Sequence, residues 1–252
     1  VNKVSTPRNP ASTAELLDSF TSQFNARTKV LALTYVSNLS GIKLPISELV
    51  AAAHTQGIYV HVDGAQVWGA MDLDLKSLDV DSFSASAHKW YMGPKEVGLL
   101  YIKDANIDRI WPGVIAPGWG SDVDTSLVGA RKFESLGQRD DAALAALGVA
   151  AVLHDNIGAQ RIEERIVQLA QRLKHGIVGL GQELVTPMSP DFSFGVCIIN
   201  AADGQGGAVS NRLYTEHGIA AAATGGVRLC PTIYNTIEHI DRAVAAIEAL
   251  MS

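Results

Sequence analysis

Apolar positions along the chain follow two alternating rhythms. Short β-branched runs bounded by turn residues recur, and between them lie segments with apolar residues three and four apart. Ser12 to Phe24 reads as a helix opened by polar capping residues. Lys29 to Val36 (KVLALTYV) reads as a buried strand. Pro45 opens a helix over Ile46 to Thr55, and Gly57 closes it at the position where φ is usually positive. Ile58 to Val62, Val80 to Ser84 and Val97 to Ile102 read as three further strands. Strands alternating with helices predict an α/β fold with a mainly parallel sheet, built here from β-α-β units with short turns.

Pro112 to Asp124 is rich in Gly, Pro and Trp and reads as a long loop. Asp140 to Asn156 is apolar nearly all round, which predicts a helix buried on several sides. Beyond it Ile162, Ile166, Leu169, Leu173 and Ile177 form a stripe at helical spacing. Gly195 to Asn200, Gly218 to Ala223 and Val227 to Cys230 read as strands, and Val209 to His217 as a helix. The last helix carries Ile237, Ile240, Val244, Ile247 and Met251 on one face, with Asn235 as its expected N-cap. These patterns place a domain boundary near residue 155. Residues 1–155 form a large α/β domain, and 156–252 a smaller α+β domain.

Composition narrows the function. Of 252 residues 47% are hydrophobic and 18% charged, enough to build a core and to exclude disorder. Lys and Arg number 20 against 26 Asp and Glu, a net charge of −6 that argues against a general nucleic-acid binder. The longest apolar stretch, Ala142 to Leu153, is too short to span a bilayer, which needs about 20 residues. Two cysteines make no disulfide framework. No secretory signal stands at the N-terminus, so a cytoplasmic protein is expected. The start Val1-Asn2-Lys3 marks the expected product of processing or truncation.

Two segments sit where strands end, the place where open α/β sheets bind ligands. They are His61-Val62-Asp63-Gly64-Ala65-Gln66 and Ser84-Ala85-Ser86-Ala87-His88-Lys89, the latter followed by Gly93-Pro94. A lysine at a strand end beside a carboxylate suits imine chemistry. Pyridoxal phosphate needs an acid on its ring nitrogen, donors for its phenolate oxygen and donors for its phosphate. Asp63, Gln66 and the pair Ser86/His88 supply those kinds in that order. Other readings stand beside this one. Asp63 also suits a helix cap, and Lys89 a solvated cation. His61 and Asp63 alternate on one strand face and, with His88, make a two-His-one-carboxylate metal set. Cys197 and Cys230 read as small buried apolar residues, which disfavours a cysteine desulfurase.

Val62-Asp63-Gly64-Ala65-Gln66 with Ser86-Ala87-His88-Lys89-Trp90 and Gly93-Pro94 resembles the class V aminotransferase family of fold-type I pyridoxal-phosphate enzymes, in its isopenicillin-N epimerase-like branch. Val36 to Gly41, Phe133 to Gly137 with Arg139-Asp140, and Val227-Arg228-Leu229 with Tyr234-Asn235 carry the resemblance along nearly the whole chain. It implies an amino acid or 2-oxo acid as substrate, in transaminase, epimerase or lyase chemistry. Lys89 would form the imine and shuttle the proton, and Asp63 would pair with the pyridinium nitrogen. Gln66 and Asn38 would approach the phenolate oxygen, and Ser86 and His88 the phosphate. Gln138, where the family often has Thr, would reach the partner subunit's phosphate in a homodimer. Arg228 would grip the substrate carboxylate. Glu96 departs from a Gly common in the family after Gly-Pro-x. The family's N-terminal portion, which carries a phosphate cradle and a ring-stacking aromatic, is absent from this sequence. A remnant of the fold without catalysis, or an interaction module, is therefore the alternative.

Overall fold

Ser12 caps the first helix, its hydroxyl accepting from the Glu15 N–H at 3.2 Å, while the Glu15 carboxylate reaches back to the Ala11 N–H at 2.7 Å. The computed structural model that shows this describes residues 1–116, 129–134, 137–202 and 204–251. Part of the expected loop from Pro112 to Asp124, and part of the segment Phe133 to Gly137, lie outside the described residues. The helices are α1 (Thr13–Thr21), α2 (Ile46–His54), α3 (Asp141–Ile157), α4 (Ala159–Gly179), α5 (Gln205–His217) and α6 (Ile237–Met251). The strands are β1 (Val30–Thr34), β2 (Tyr59–Asp63), β3 (Ser82–Ser86), β4 (Gly98–Ile102), β5 (Cys197–Ile199) and β6 (Val227–Leu229).

β1, β2 and β3 lie side by side in parallel, and β4 returns antiparallel at the edge. Register places Thr34 beside Asp63 and Asp63 beside Ser84. β5 and β6 form a separate antiparallel pair with Ile198 opposite Arg228. One core gathers the inward faces of β1 to β3, the buried sides of α1 and α2, and Ile162, Ile166, Phe194, Val196 and Ile198 from later in the chain. A second core joins the remaining α4 stripe to β5, β6, α5 and α6. All five stripe residues of α4 are buried, as their spacing predicts. Gly57 has φ +65° just after α2, in keeping with its expected role. Asp81 anchors the opposite end of the sheet, accepting from the Val60 N–H, His54 Nε2 and Asn106 Nδ2.

Several expectations need correction. β1 is buried on one face only: Leu31 and Leu33 point into the core, whereas Val30 is 60% exposed. No layer of described residues covers its other face. The connection from β2 to β3 is a run of turns and not a helix. There the Asp74 carboxylate bonds the Lys76 and Ser77 N–H groups, competing with a helical ladder. α3 has the expected length, but only Ala150 is buried along it and Val149 is 72% exposed. Apolar composition all round does not itself supply neighbours. Residues 218–223 form no strand; only an isolated bridge from Ala222 to Arg228 remains. Asn235 does not cap α6. Its side-chain oxygen accepts from the Thr232 N–H, and the Thr236 hydroxyl accepts from the His239 N–H instead. Among the described residues no single helix is long and apolar enough to cross a membrane.

Candidate active site

The site is laid out by the carboxyl ends of β1, β2 and β3. Asp63 is the last residue of β2, half-buried, and its Oδ1 accepts from the Ala65 N–H at 2.8 Å. It thus caps a turn, not a helix. The Gly64 N–H donates to the Ser84 carbonyl at 2.8 Å, drawing that turn against β3. A Cβ on Gly64 would stand 1.8 Å from Phe83 Cζ, so only glycine fits beside that ring. Gln66 follows, buried, and its Oε1 accepts from Trp90 Nε1 at 3.0 Å. This bond ties the turn after β2 to the turn after β3.

β3 ends at Ser86, half-buried and without a side-chain hydrogen bond among the described residues. Ala87 is buried, His88 and Lys89 are exposed, and Trp90 is buried again. Lys89 Nζ has no hydrogen bond or ion pair among the described residues. The turn that carries it is closed by Ala87 N–H to Val97 O, Met92 N–H to Lys89 O and Gly93 N–H to Ala87 O. Met92 and Glu96 hold φ of +54° and +62°. Glu96 therefore occupies a backbone conformation that suits glycine, which gives its departure from the family pattern a physical meaning.

Trp68 stacks on Tyr91 at 4.1 Å and 16°, and Tyr91 on His154 at 4.4 Å and 5°. His154 Nε2 also meets the Tyr91 carbonyl at 3.1 Å. This pile braces the Lys89 turn between the residues after Gln66 and α3. Tyr91 and His154 were not legible as site residues, because only the fold brings positions 68, 91 and 154 together. On the far side, Ser37 Oγ accepts from the Leu39 and Ser40 N–H groups and shapes the loop after β1. Exposed Asn38 lies on that loop, and its carbonyl accepts from Arg228 Nη1 at 3.2 Å. The approach is close: a Cβ on Gly225 would stand 2.1 Å from the Leu39 carbonyl oxygen. Gln138 is exposed ahead of α3, and no contact among the described residues joins it to the other candidates.

The metal set does not assemble. His61 points both ring nitrogens at serines, Nδ1 at Ser82 Oγ (2.8 Å) and Nε2 at Ser84 Oγ (3.2 Å). Burial lowers its pKa, with nearby Asp63 opposing. His88 faces solvent, and no group of three or more His, Cys, Asp or Glu among the described residues is arranged to hold a metal ion. Cys197 is buried in β5, and desolvation pushes its thiol up to about 12. Cys230 is exposed, contrary to its expected burial, because it lies just past the end of β6. Its thiol is still pushed up to about 11, chiefly by desolvation. Neither offers a ready thiolate at neutral pH.

The family model described as aminotransferase class-V matches residues 4–243, and the chain belongs to that family of pyridoxal-phosphate-dependent enzymes. Isopenicillin N epimerase of Streptomyces clavuligerus is 29% identical over 261 residues, covering 97% of this chain and 66% of that protein. A probable cysteine desulfurase of Vibrio cholerae is 29% identical over 248 residues, covering 92% of this chain and 60% of that protein. The chain thus spans less than two thirds of the length of either relative. Among solved structures, the apo cysteine desulfurase of Thermococcus onnurineus NA1 superposes with a TM-score of 0.84 at 24% identity, over 99% of this chain and 65% of that one. The cystine C-S lyase C-DES, in complex with its product cysteine persulfide, gives 0.84 at 24% over 95% and 67%. The fold is that of fold-type I pyridoxal-phosphate enzymes.

Proposed function

We propose that this chain carries the cofactor-binding lysine of a pyridoxal-phosphate enzyme acting at the α-position of an amino acid. The observation behind this reading is one juxtaposition. A lysine and a hydroxyl without side-chain partners among the described residues, a carboxylate and an amide stand at the carboxyl ends of adjacent parallel strands. That donor set fits the cofactor's aldehyde, ring nitrogen, phenolic oxygen and phosphate. When bound, pyridoxal phosphate supplies an electron sink for the pair left on the substrate's α-carbon. The chain's residues supply the rest. Lys89 Nζ would hold the cofactor at its aldehyde carbon, and its amine would move a proton at the substrate's α-carbon. The Asp63 carboxylate would keep a proton on the ring nitrogen. Gln66 and Asn38 would donate to the phenolic oxygen, Ser86 and His88 to the phosphate, and Gln138 to the partner subunit's phosphate. Arg228 would take the α-carboxylate in its two-pronged fork. The reaction class spans transamination, epimerisation and elimination. A homodimer and a cytoplasmic location belong to the same proposal.

The test is the visible absorption spectrum of the purified chain with added pyridoxal phosphate, run beside Lys89→Ala. The expected result is a band that borohydride removes and that Lys89→Ala lacks. Equal bands in both proteins, or none in either, would overturn the reading; no band at all would favour a remnant of the fold without cofactor. Arg228→Ala should leave the band intact and weaken amino-acid binding by about 1.5–3 kcal/mol, the worth of a charge-assisted pair. Titrating the band with amino acids checks this, and unchanged affinity removes Arg228 from the site.

A further inference from the structure

We propose that Trp90 is a positioning residue that fixes the amide of Gln66, so that Gln66 turns its Nε2 toward the crevice as a hydrogen-bond donor. The indole N–H of Trp90 donates and never accepts. Only the carbonyl end of an amide can meet it, and Gln66 Oε1 does so at 3.0 Å. The reversed amide would set two donors face to face between residues that are 9% (Gln66) and 7% (Trp90) exposed. Leaving a buried donor unpaired costs about 1–3 kcal/mol, so the orientation is decided.

Trp90 cannot turn away to accommodate the other orientation. Phe194 packs on its ring at 6.5 Å between centroids. Gly195 lies so near that an added Cβ would stand 2.6 Å from Cη2. The indole is therefore aimed by the segment leading into β5, and it aims Gln66 in turn. Gln66 Nε2 has no hydrogen-bond partner among the described residues, so it is available to an acceptor entering from the crevice. The ligand group it takes is a hydrogen-bond acceptor. On the function proposed above, which this inference rests on, that acceptor is the phenolic oxygen of pyridoxal phosphate.

The experiment compares the full wild-type chain with Trp90→Phe, Gln66→Glu and the double variant, each titrated with pyridoxal phosphate. The readouts are the dissociation constant and the pH at which the visible band changes form. Phenylalanine keeps the ring but loses the N–H; glutamate keeps an acceptor for Trp90 but loses the donor. Trp90→Phe should weaken binding by about 2–10-fold, the worth of one hydrogen bond. It should also raise the titration midpoint, because a donor to an oxygen anion favours the deprotonated form. In the Gln66→Glu background Trp90→Phe should add nothing further. A merely structural role would persist there, and a full additional loss overturns the proposal. So does a wild-type-like Trp90→Phe with cofactor bound, which leaves the functional reading standing. A wild-type chain that takes up no cofactor overturns both.

Discussion

Phe83→Ala should lower the free energy of unfolding by about 3–5 kcal/mol, the usual cost of removing a buried aromatic side chain. Phe83, the second residue of β3, is 1% exposed, and its ring fills the space that a Cβ on Gly64 would need. The two positions are therefore coupled. Gly64→Ala alone forces a methyl into the ring and should cost about 1–3 kcal/mol or more. Combined with Phe83→Ala, the methyl gains room, and the double variant should lose less than the sum of the singles. Urea unfolding followed by far-ultraviolet circular dichroism reads all three. Strict additivity would show that the close approach is relieved elsewhere. The coupling matters for the site, because Gly64 stands between Asp63 and the turn that delivers Gln66.

The second large effect concerns a buried cation. Lys174 lies on α4 with no exposed surface, and its Nζ donates to Pro187 O, Met188 O and Ser193 Oγ at 3.2, 3.0 and 2.7 Å. Lys174→Ala removes those donors and leaves a cavity, at an expected cost of about 2–5 kcal/mol. The charge itself works against the fold. Burial lowers the Lys174 pKa from 10.5 to about 8, so between these values the unfolded chain binds more protons than the native one. Stability from this group therefore rises with pH from about 8 to 10.5. The Cys197 thiol acts oppositely above 9, since burial pushes its native pKa up to about 12. The rise due to Lys174 should thus be clearest between pH 8 and 9. In Lys174→Met, which keeps the volume without the charge, it should vanish. Denaturant midpoints across that range decide it, and a parallel pH profile in the two proteins would place the Lys174 charge outside the linkage.

Local order in this chain is written locally. Ser12 with Glu15, Pro45 with Gly57, and the α4 stripe mark their elements because capping, positive φ and helical periodicity depend on near neighbours. The candidate site was legible for the same reason. Asp63 with Gln66, and Ser86 with His88 and Lys89, are short patterns at strand ends, and strand ends are where such sheets bind ligands.

What failed in the reading depended on neighbours far along the chain. β1 and α3 looked buried, yet burial is set by what packs against a face, and hydrophobicity alone cannot say. Asn235 and Thr236 are both good caps, and the choice turned on which backbone N–H each side chain met. Lys174 sits beside Leu173 on a helix that folds it inward, where backbone carbonyls from another segment wait. Arg228 reaches the Asn38 carbonyl across 190 positions, and Trp90 meets Gln66 across 24. By itself the sequence determined the class of fold, the family and the strand-end cluster of chemistry-bearing residues, since each is encoded in residues close in the chain. Only the tertiary structure decided which way the Gln66 amide faces, what braces the Lys89 turn and where Arg228 docks, because those contacts exist only once distant segments are packed.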